Sequence, residues 1–448
     1  VTESAFTRRA SYGPSSPTVG SRGARTREQI VDAALACFTE RGFHATSVDD
    51  IASRANISRA TLYQYFESKD EVFVELMHEA GEALTSLTRR LGDLGPHADG
   101  YDNLHWWLGE WSRAFDRYAA MFVEWANVNS PQAPLRPKLA EFVDFHTELF
   151  DKALSDAGFG DPVPSPASIL TLALVNRFNY LRHVYRPGLS DEQLLDSLAT
   201  AIQLYLFPQT PQAVLEAGPR TAHRRRARLV AVQPVAELGP LAELPDRATL
   251  ERPSPFAGRS AQAAQTVRHL LDAAGRVFAA AGYDGANIDQ IVTEAGLARG
   301  TFYRYFSNKL EMISTLAWEA AAEMCPLFEE FQGFAAERDP ELLRDWLGRF
   351  LAVQHRYTGV LRAWTEGFPI DPVLLAPAAD VVASMGQAIV AVFGPKRPYP
   401  LDRRAAGMLF AGLLEHFPNE GAGAEHEPTA EQIVETQAHF IERVIFPV

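Results

Sequence analysis

The segment Arg59-Ala-Thr-Leu-Tyr-Gln-Tyr-Phe66, followed by Lys69, returns 240 residues later as Arg299-Gly-Thr-Phe-Tyr-Arg-Tyr-Phe306, followed by Lys309. The approach repeats as well: Phe38, Gly42, Asp49, Ile51 and Ala55 recur as Phe278, Gly282, Asp289, Ile291 and Ala295 without a gap. Downstream, Trp107-Leu-Gly109, Arg117-Tyr118 and Trp125 come back as Trp346-Leu-Gly348, Arg356-Tyr357 and Trp364, displaced by 239. Near the end of each copy, Tyr205-Leu-Phe-Pro208 matches Val444-Ile-Phe-Pro447. This period is far longer than the roughly 20–50 residues of stacked solenoid repeats. Each copy is therefore a domain-sized unit, and the chain reads as a duplication followed by fusion.

With 47% hydrophobic and 22% charged residues, the composition is that of ordinary globular material. Each half, at roughly 190 residues, is long enough to bury a core of its own. The two cysteines, Cys37 and Cys325, occupy non-equivalent positions, which points to reduced thiols and a cytoplasmic protein. No apolar run approaches the ~18 residues of a membrane span, and the first residues lack a signal peptide's apolar centre, so no membrane partner is expected. A net charge of −14 argues against indiscriminate binding to nucleic acid but leaves room for a local basic surface.

The periodicity predicts helices throughout, an all-α fold. Ile30, Ala33, Ala34, Cys37 and Phe38 trace one helical face, and Gly42 supplies a left-handed residue to end it. Ser47 with Asp50, and Asn287 with Gln290, suit capping boxes opening a second helix. Ser58 can cap a third helix; Ser68 with Glu71, and Asn308 with Glu311, can cap a fourth. Helix, glycine turn, helix, tight turn, helix is the order of a helix-turn-helix module. The boundaries read as a flexible arm over 1–24, helix-turn-helix modules over 25–77 and 261–317, helical domains over 78–208 and 318–448, and a Pro-rich linker over 209–260 with a basic knot at Arg224–Arg226.

On the third helix Leu62 and Phe66, like Phe302 and Phe306, lie four apart and face inward. Arg59, Thr61, Tyr63, Gln64 and Tyr65 cannot all join that stripe. A short outward face of arginine, hydroxyls and an amide suits a major groove, with hydroxyls on phosphates and Arg or Gln on base edges. Lys69 stands where a charge and a helix N-terminus can meet a phosphate together. Packing of a small core accounts for Phe66 and part of Tyr63, but not for recurrence of the whole polar set.

These two segments resemble the DNA-binding domain of the tetracycline-repressor (TetR) family, strongly over 25–77 and 265–317 and only architecturally elsewhere. The resemblance implies two tandem TetR-like units and a double-stranded DNA operator as partner. It implies operator contacts from Ser47, Arg59, Ala60, Thr61, Tyr63, Gln64, Tyr65 and Lys69, and from Asn287, Arg299, Gly300, Thr301, Tyr303, Arg304, Tyr305 and Lys309. The family often has a basic residue before the first core stripe; Arg27 fits, while Val267 holds that place in the second copy, so weaker phosphate affinity is expected there. Gln64 becomes Arg304, which predicts two unequal half-sites.

Family members pair through their last two helices, here about 167–184 with 191–207 and 403–416 with 431–446. One chain thus holds both sides of that contact, and a linker of ~50 residues spans ~40 Å as a coil, so pairing within the chain is expected over a homodimer. The resemblance also implies a pocket for a small, mostly apolar effector of unknown identity. Candidate lining residues are His105, Trp111, Phe115, Tyr118 and Phe178 in the first half and Arg344, Phe350 and Tyr357 in the second, with core packing the competing role for each aromatic. No cofactor is implied. The sequence has no helical His-Glu-x-x-His pair, no Gly-x-Ser-x-Gly elbow and no phosphate loop, so no enzyme is expected, and the stretch from His416 to His426 reads as a solvated loop rather than a metal site. Two other readings fit the residues: a DNA-organising protein without an effector, and a regulator in which only one half reads DNA.

Overall fold

The computed structural model describes residues 21–43, 45–122, 136–158, 166–185, 188–220, 256–366, 372–394, 397–415 and 428–446. The arm before residue 21, Trp125, the basic knot and the His416–His426 stretch lie outside the described residues. Among those described there is no strand, in keeping with the expected all-α class. The first half comprises α1 (Ser21–Arg41), α2 (Val48–Arg54), α3 (Arg59–Tyr63), α4 (Lys69–Thr88), α5 (Ala98–Arg117), α6 (Arg136–Asp156), α7 (Pro166–Tyr185), α8 (Asp191–Leu206) and the short α9 (Gln212–Ala217). The second comprises α10 (Ala261–Gly285), α11 (Ile288–Glu294), α12 (Arg299–Tyr305), α13 (Lys309–Phe334), α14 (Pro340–Arg356), α15 (Thr358–Glu366), α16 (Pro372–Phe393), α17 (Arg403–Glu415) and α18 (Ala430–Phe440), which ends in a π-helical turn, Ile441–Ile445.

Local signals explain where these helices begin and end. Gly42 takes φ 77° and donates its N–H to the Phe38 carbonyl at 2.9 Å, closing α1 as its sequence position suggested. Capping boxes form at Ser47/Asp50 and Asn287/Gln290. Ser58, Ser68 and Asn308 cap the helices that follow them. Ala298, the counterpart of Ser58, has no side chain to offer α12. Ala298→Ser is therefore expected to stabilise the second DNA-binding module by ~1 kcal/mol. Urea denaturation should show a higher midpoint for that module, and an unmoved midpoint would mean the first turn of α12 is already satisfied.

Ile30, Ala34 and Phe38 of α1 close on Leu62 and Phe66, all at most 2% exposed. Leu270, Ala274, Phe278, Phe302 and Phe306 do the same in the second copy. The helical domains are centred on the duplicated tryptophans. Trp107 stacks on Phe150 at 4.9 Å and Trp346 on Phe350 at 5.3 Å; buried rings of this size dominate core energetics.

The terminal helices of the two halves pack against each other: α7 and α8 of the first against α17, α18 and the π-helical turn of the second. Polar groups cross this seam. Arg443 donates to the Tyr205 carbonyl at 2.7 Å, the Asp402 N–H to Ser197 Oγ at 3.1 Å, and Arg177 pairs with Glu415 at 2.6 Å. One apolar core runs from the first DNA-binding module across the seam to Phe410 and Phe440, whereas the second module has a core of its own that includes Tyr357, Val360 and Leu374. The start of the expected linker belongs to the first half. Leu215 is buried, Gln203 donates to Thr210 Oγ1 at 2.9 Å, and Arg220 pairs with Asp99 at 2.5 Å and with Asp102. Within α16, the stretch Ala376–Phe393 is long and apolar enough to cross a bilayer by length and composition. This corrects the expectation that no apolar run approaches such a length; here the stretch packs along α13.

Candidate nucleic-acid interface

Each recognition helix is presented by a turn that demands a left-handed residue. Asn56 has φ 54° and its counterpart Gly296 φ 63°, two residue types that tolerate this conformation. The following amide then reaches back to the preceding helix: Ile57 N–H to Ala52 O at 3.0 Å and Leu297 N–H to Val292 O at 2.8 Å. With Leu62 and Phe302 fully buried beneath, the opposite face of α3 and of α12 is left to solvent.

That face carries most of the expected residues. Tyr63 is 39% exposed and Tyr303 51%, and Ala60, Gln64, Gly300 and Arg304 are exposed beside them. Thr61, Thr301, Tyr65 and Tyr305 are half-buried. Arg59 pairs with Asp49 at 2.8 Å and donates to Tyr63 Oη at 3.2 Å; Arg299 pairs with Asp289 at 2.7 Å and donates to Tyr303 Oη at 3.5 Å. The tyrosine hydroxyl and then the aspartate hold both guanidinium groups above their ordinary range. The two aspartates stood out in the sequence only as repeats, and their role as holders of the arginines needed the structure.

Other expected contacts are engaged inside the module. The Lys69 ammonium donates to the carbonyls of Phe43 at 2.7 Å and Thr46 at 3.0 Å and lies 4.4 Å from the Phe43 ring centre. Lys309 repeats this with Tyr283 and Ala286, at 2.5 and 3.0 Å. Both lysines thus tie the glycine turn to the start of the fourth helix. Ser47 and Asn287 are spent on their caps, although both remain exposed. Arg27 does not point outward: it grips Glu75 at 2.7 Å and covers Phe66 at 4.4 Å. Val267, fully buried, and Thr315 replace that pair in the second copy, so the Arg27/Val267 difference is one of packing and does not imply weaker phosphate contact.

The expected effector residues divide between core and ion pairs. Trp111, Phe115, Tyr118, Phe178, Phe350 and Tyr357 are each at most 6% exposed. Trp111 donates to Asn176 Oδ1 at 3.0 Å and Tyr357 to Glu323 at 2.7 Å, and burial pushes the Tyr357 hydroxyl up. His105, fully buried, joins Asp196 at 2.9 Å. Arg344 pairs with Glu435 at 2.7 Å and Glu442 at 2.8 Å. None of the eight lines either of the two seam clefts described below.

The family model for bacterial regulatory proteins of the tetR family matches residues 30–76 and 270–316, the two modules just described. The transcriptional activator FasR of Mycolicibacterium smegmatis is 39% identical over 64 residues, 14% of this chain and 29% of that protein. The negative transcriptional regulator IcaR of the Staphylococcus aureus biofilm operon icaADBC is 30% identical over 104 residues, 22% of this chain and 54% of that one. The chain thus spans about half or less of the length of the curated relatives it matches. Among solved structures, the TetR-family regulator PfmR of Thermus thermophilus aligns with a TM-score of 0.28 at 26% identity, covering 34% of this chain and 84% of its own. A TetR-family regulator from Syntrophomonas wolfei aligns with a TM-score of 0.35 at 18% identity, covering 41% and 95%. Two segments of the chain, 30–76 and 270–316, thus each match the DNA-binding family model of bacterial regulatory proteins of the tetR family.

Proposed function

We propose that the chain is a ligand-responsive transcriptional regulator that acts as a single-chain pseudo-dimer on an operator with two unequal half-sites. The observation that supports this reading is that one chain holds two helix-turn-helix modules matching the family model and a seam between its own two halves. Tethering gives effective concentrations near the millimolar range, so pairing within the chain outcompetes pairing between chains. Two recognition helices then serve half-sites one DNA turn, ~34 Å, apart. Repression by occlusion is the sign we assign; FasR is named an activator and IcaR a negative regulator, so a transcription assay decides it. An effector gains leverage only from its differential affinity for the two arrangements, typically ~1–3 kcal/mol. The lever is the fourth helix of each unit, α4 or α13, which runs from the DNA-binding module into the helical domain.

The half-sites are unequal because Gln64 suits adenine and Arg304 suits guanine, at about 1–3 kcal/mol per good bidentate contact. Selecting genomic fragments with purified protein and sequencing them should return a bipartite site. Arg304→Gln should shift the second half toward the first, with preference for the new base changing by roughly 10–100-fold. An unchanged second half would mean that Arg304 reads no base.

A further inference from the structure

Two clefts open on the seam between the halves, and the duplication relates them. The first, about 610 Å³, is lined by Gln193, Asp196 and Ser197 of α8 and by Phe393, Leu401 and Arg403 of the second half, among others. The second, about 500 Å³, is lined by Gln432, Glu435 and Thr436 of α18 together with Ala157, Ala167 and Tyr205 of the first half. Gln432, Glu435 and Thr436 lie 239 residues beyond Gln193, Asp196 and Ser197, the displacement that separates Trp346 from Trp107. The acid in each wall is held by an equivalent base. His105 joins Asp196 at 2.9 Å, Arg344 joins Glu435 at 2.7 Å, and these two bases are also 239 apart. The clefts are two copies of one feature of the seam, which have diverged in charge.

We infer that the first cleft is a binding site for a small carboxylate with an apolar body. Half-buried Tyr399 and Pro400 give it an apolar wall, backed by the buried Phe393 and Leu401. Both of its acids are already engaged: Asp196 by His105, and Asp402 by the backbone N–H of Arg404 at 2.8 Å and its Nε at 3.2 Å. Arg403 is the charge left over. It is exposed at the first residue of α17 and makes no ion pair among the described residues. A cleft of this size falls within the range of small-molecule sites, and a guanidinium beside apolar walls selects an anion with an apolar body. The second cleft differs. Its Arg443 is committed to the Tyr205 carbonyl, and Glu435 is shared by Arg344 and by His439 at 3.9 Å. The first cleft is therefore the one that binds, once per chain.

The walls belong to different halves, and Thr200 Oγ1 to Pro400 O at 3.2 Å crosses the seam close by. An occupant would set the angle between halves and so the separation of the recognition helices. That consequence, though not the binding, rests on the regulator reading.

The test is calorimetric titration of the full chain with 2-naphthoate, using 2-naphthalenemethanol as the neutral control, on wild type, Arg403→Gln and Ser197→Trp. Naphthoate should bind saturably, once per chain, and at least about tenfold more weakly to Arg403→Gln, as loss of a charge-assisted contact implies. The alcohol should bind both of these proteins alike, and Ser197→Trp should abolish binding of either compound. Absence of saturable binding at millimolar naphthoate, or affinity that Arg403→Gln leaves unchanged, would overturn the site. Arg403 is exposed, so its variant should melt as wild type does and keeps the test decisive should Ser197→Trp misfold. Fragment selection with the same wild-type protein separates the two ideas. Naphthoate binding without DNA enrichment sinks the regulator reading alone, and DNA enrichment without naphthoate binding sinks the cleft alone.

Discussion

Changing Tyr303 and Arg304 together to alanine is expected to weaken binding to the full operator by roughly 10²–10³-fold, from the loss of one phosphate contact and one base contact. The mirrored pair, Tyr63→Ala with Gln64→Ala, should lose a comparable amount. Both pairs stand on exposed faces above fully buried Leu62 and Phe302. Stability should therefore change little, within about 0.5 kcal/mol, and the loss belongs to binding. Fluorescence anisotropy at one fixed salt concentration checks this, since phosphate contacts make affinity steeply salt-dependent. If only one of the two double variants lost affinity, a single half would be the reader.

The second large effect concerns how the second DNA-binding module is held. A side chain at Gly359 of α15 would place its Cβ 2.6 Å from Phe278 Cβ and 2.8 Å from the Ala279 nitrogen. Arg362, one turn on, donates to the Ala279 carbonyl at 2.6 Å on the same face of α10. Gly359→Val should drive α15 off α10 and destabilise the second module by up to about 3 kcal/mol, the usual range for overpacking. Because that module has its own core, urea should melt it ahead of the rest, seen as a separate early transition. A single transition at the wild-type midpoint would show that α15 does not dock the module. The first half has Ala120 at the corresponding position, 239 residues earlier.

Much of the fold was legible because its signals are local. The stripe Ile30–Phe38, the glycine turn and the capping boxes each act within one or two turns of chain. The terminal helices, expected at 167–184, 191–207, 403–416 and 431–446, fall within a residue or two of those observed. What escaped the sequence was long-range pairing. Arg27 read as a phosphate contact because nothing nearby disclosed Glu75, and Lys69 read likewise because its partners are backbone carbonyls more than 20 residues earlier. His105 and Arg344 drew attention as a difference between the copies. Their acids, Asp196 and Glu435, lie 91 residues downstream in both cases, so the repeated pair emerges only when α5 meets α8 and α14 meets α18. The residues after Pro208 looked like the start of a tether by composition, yet Leu215 and Arg220 bind them to the first half.

The most direct test of the single-chain pseudo-dimer is native mass spectrometry of the protein on its selected operator. One chain of 49.5 kDa per duplex carrying two unequal half-sites is the predicted result. Two chains on a symmetric site would contradict it.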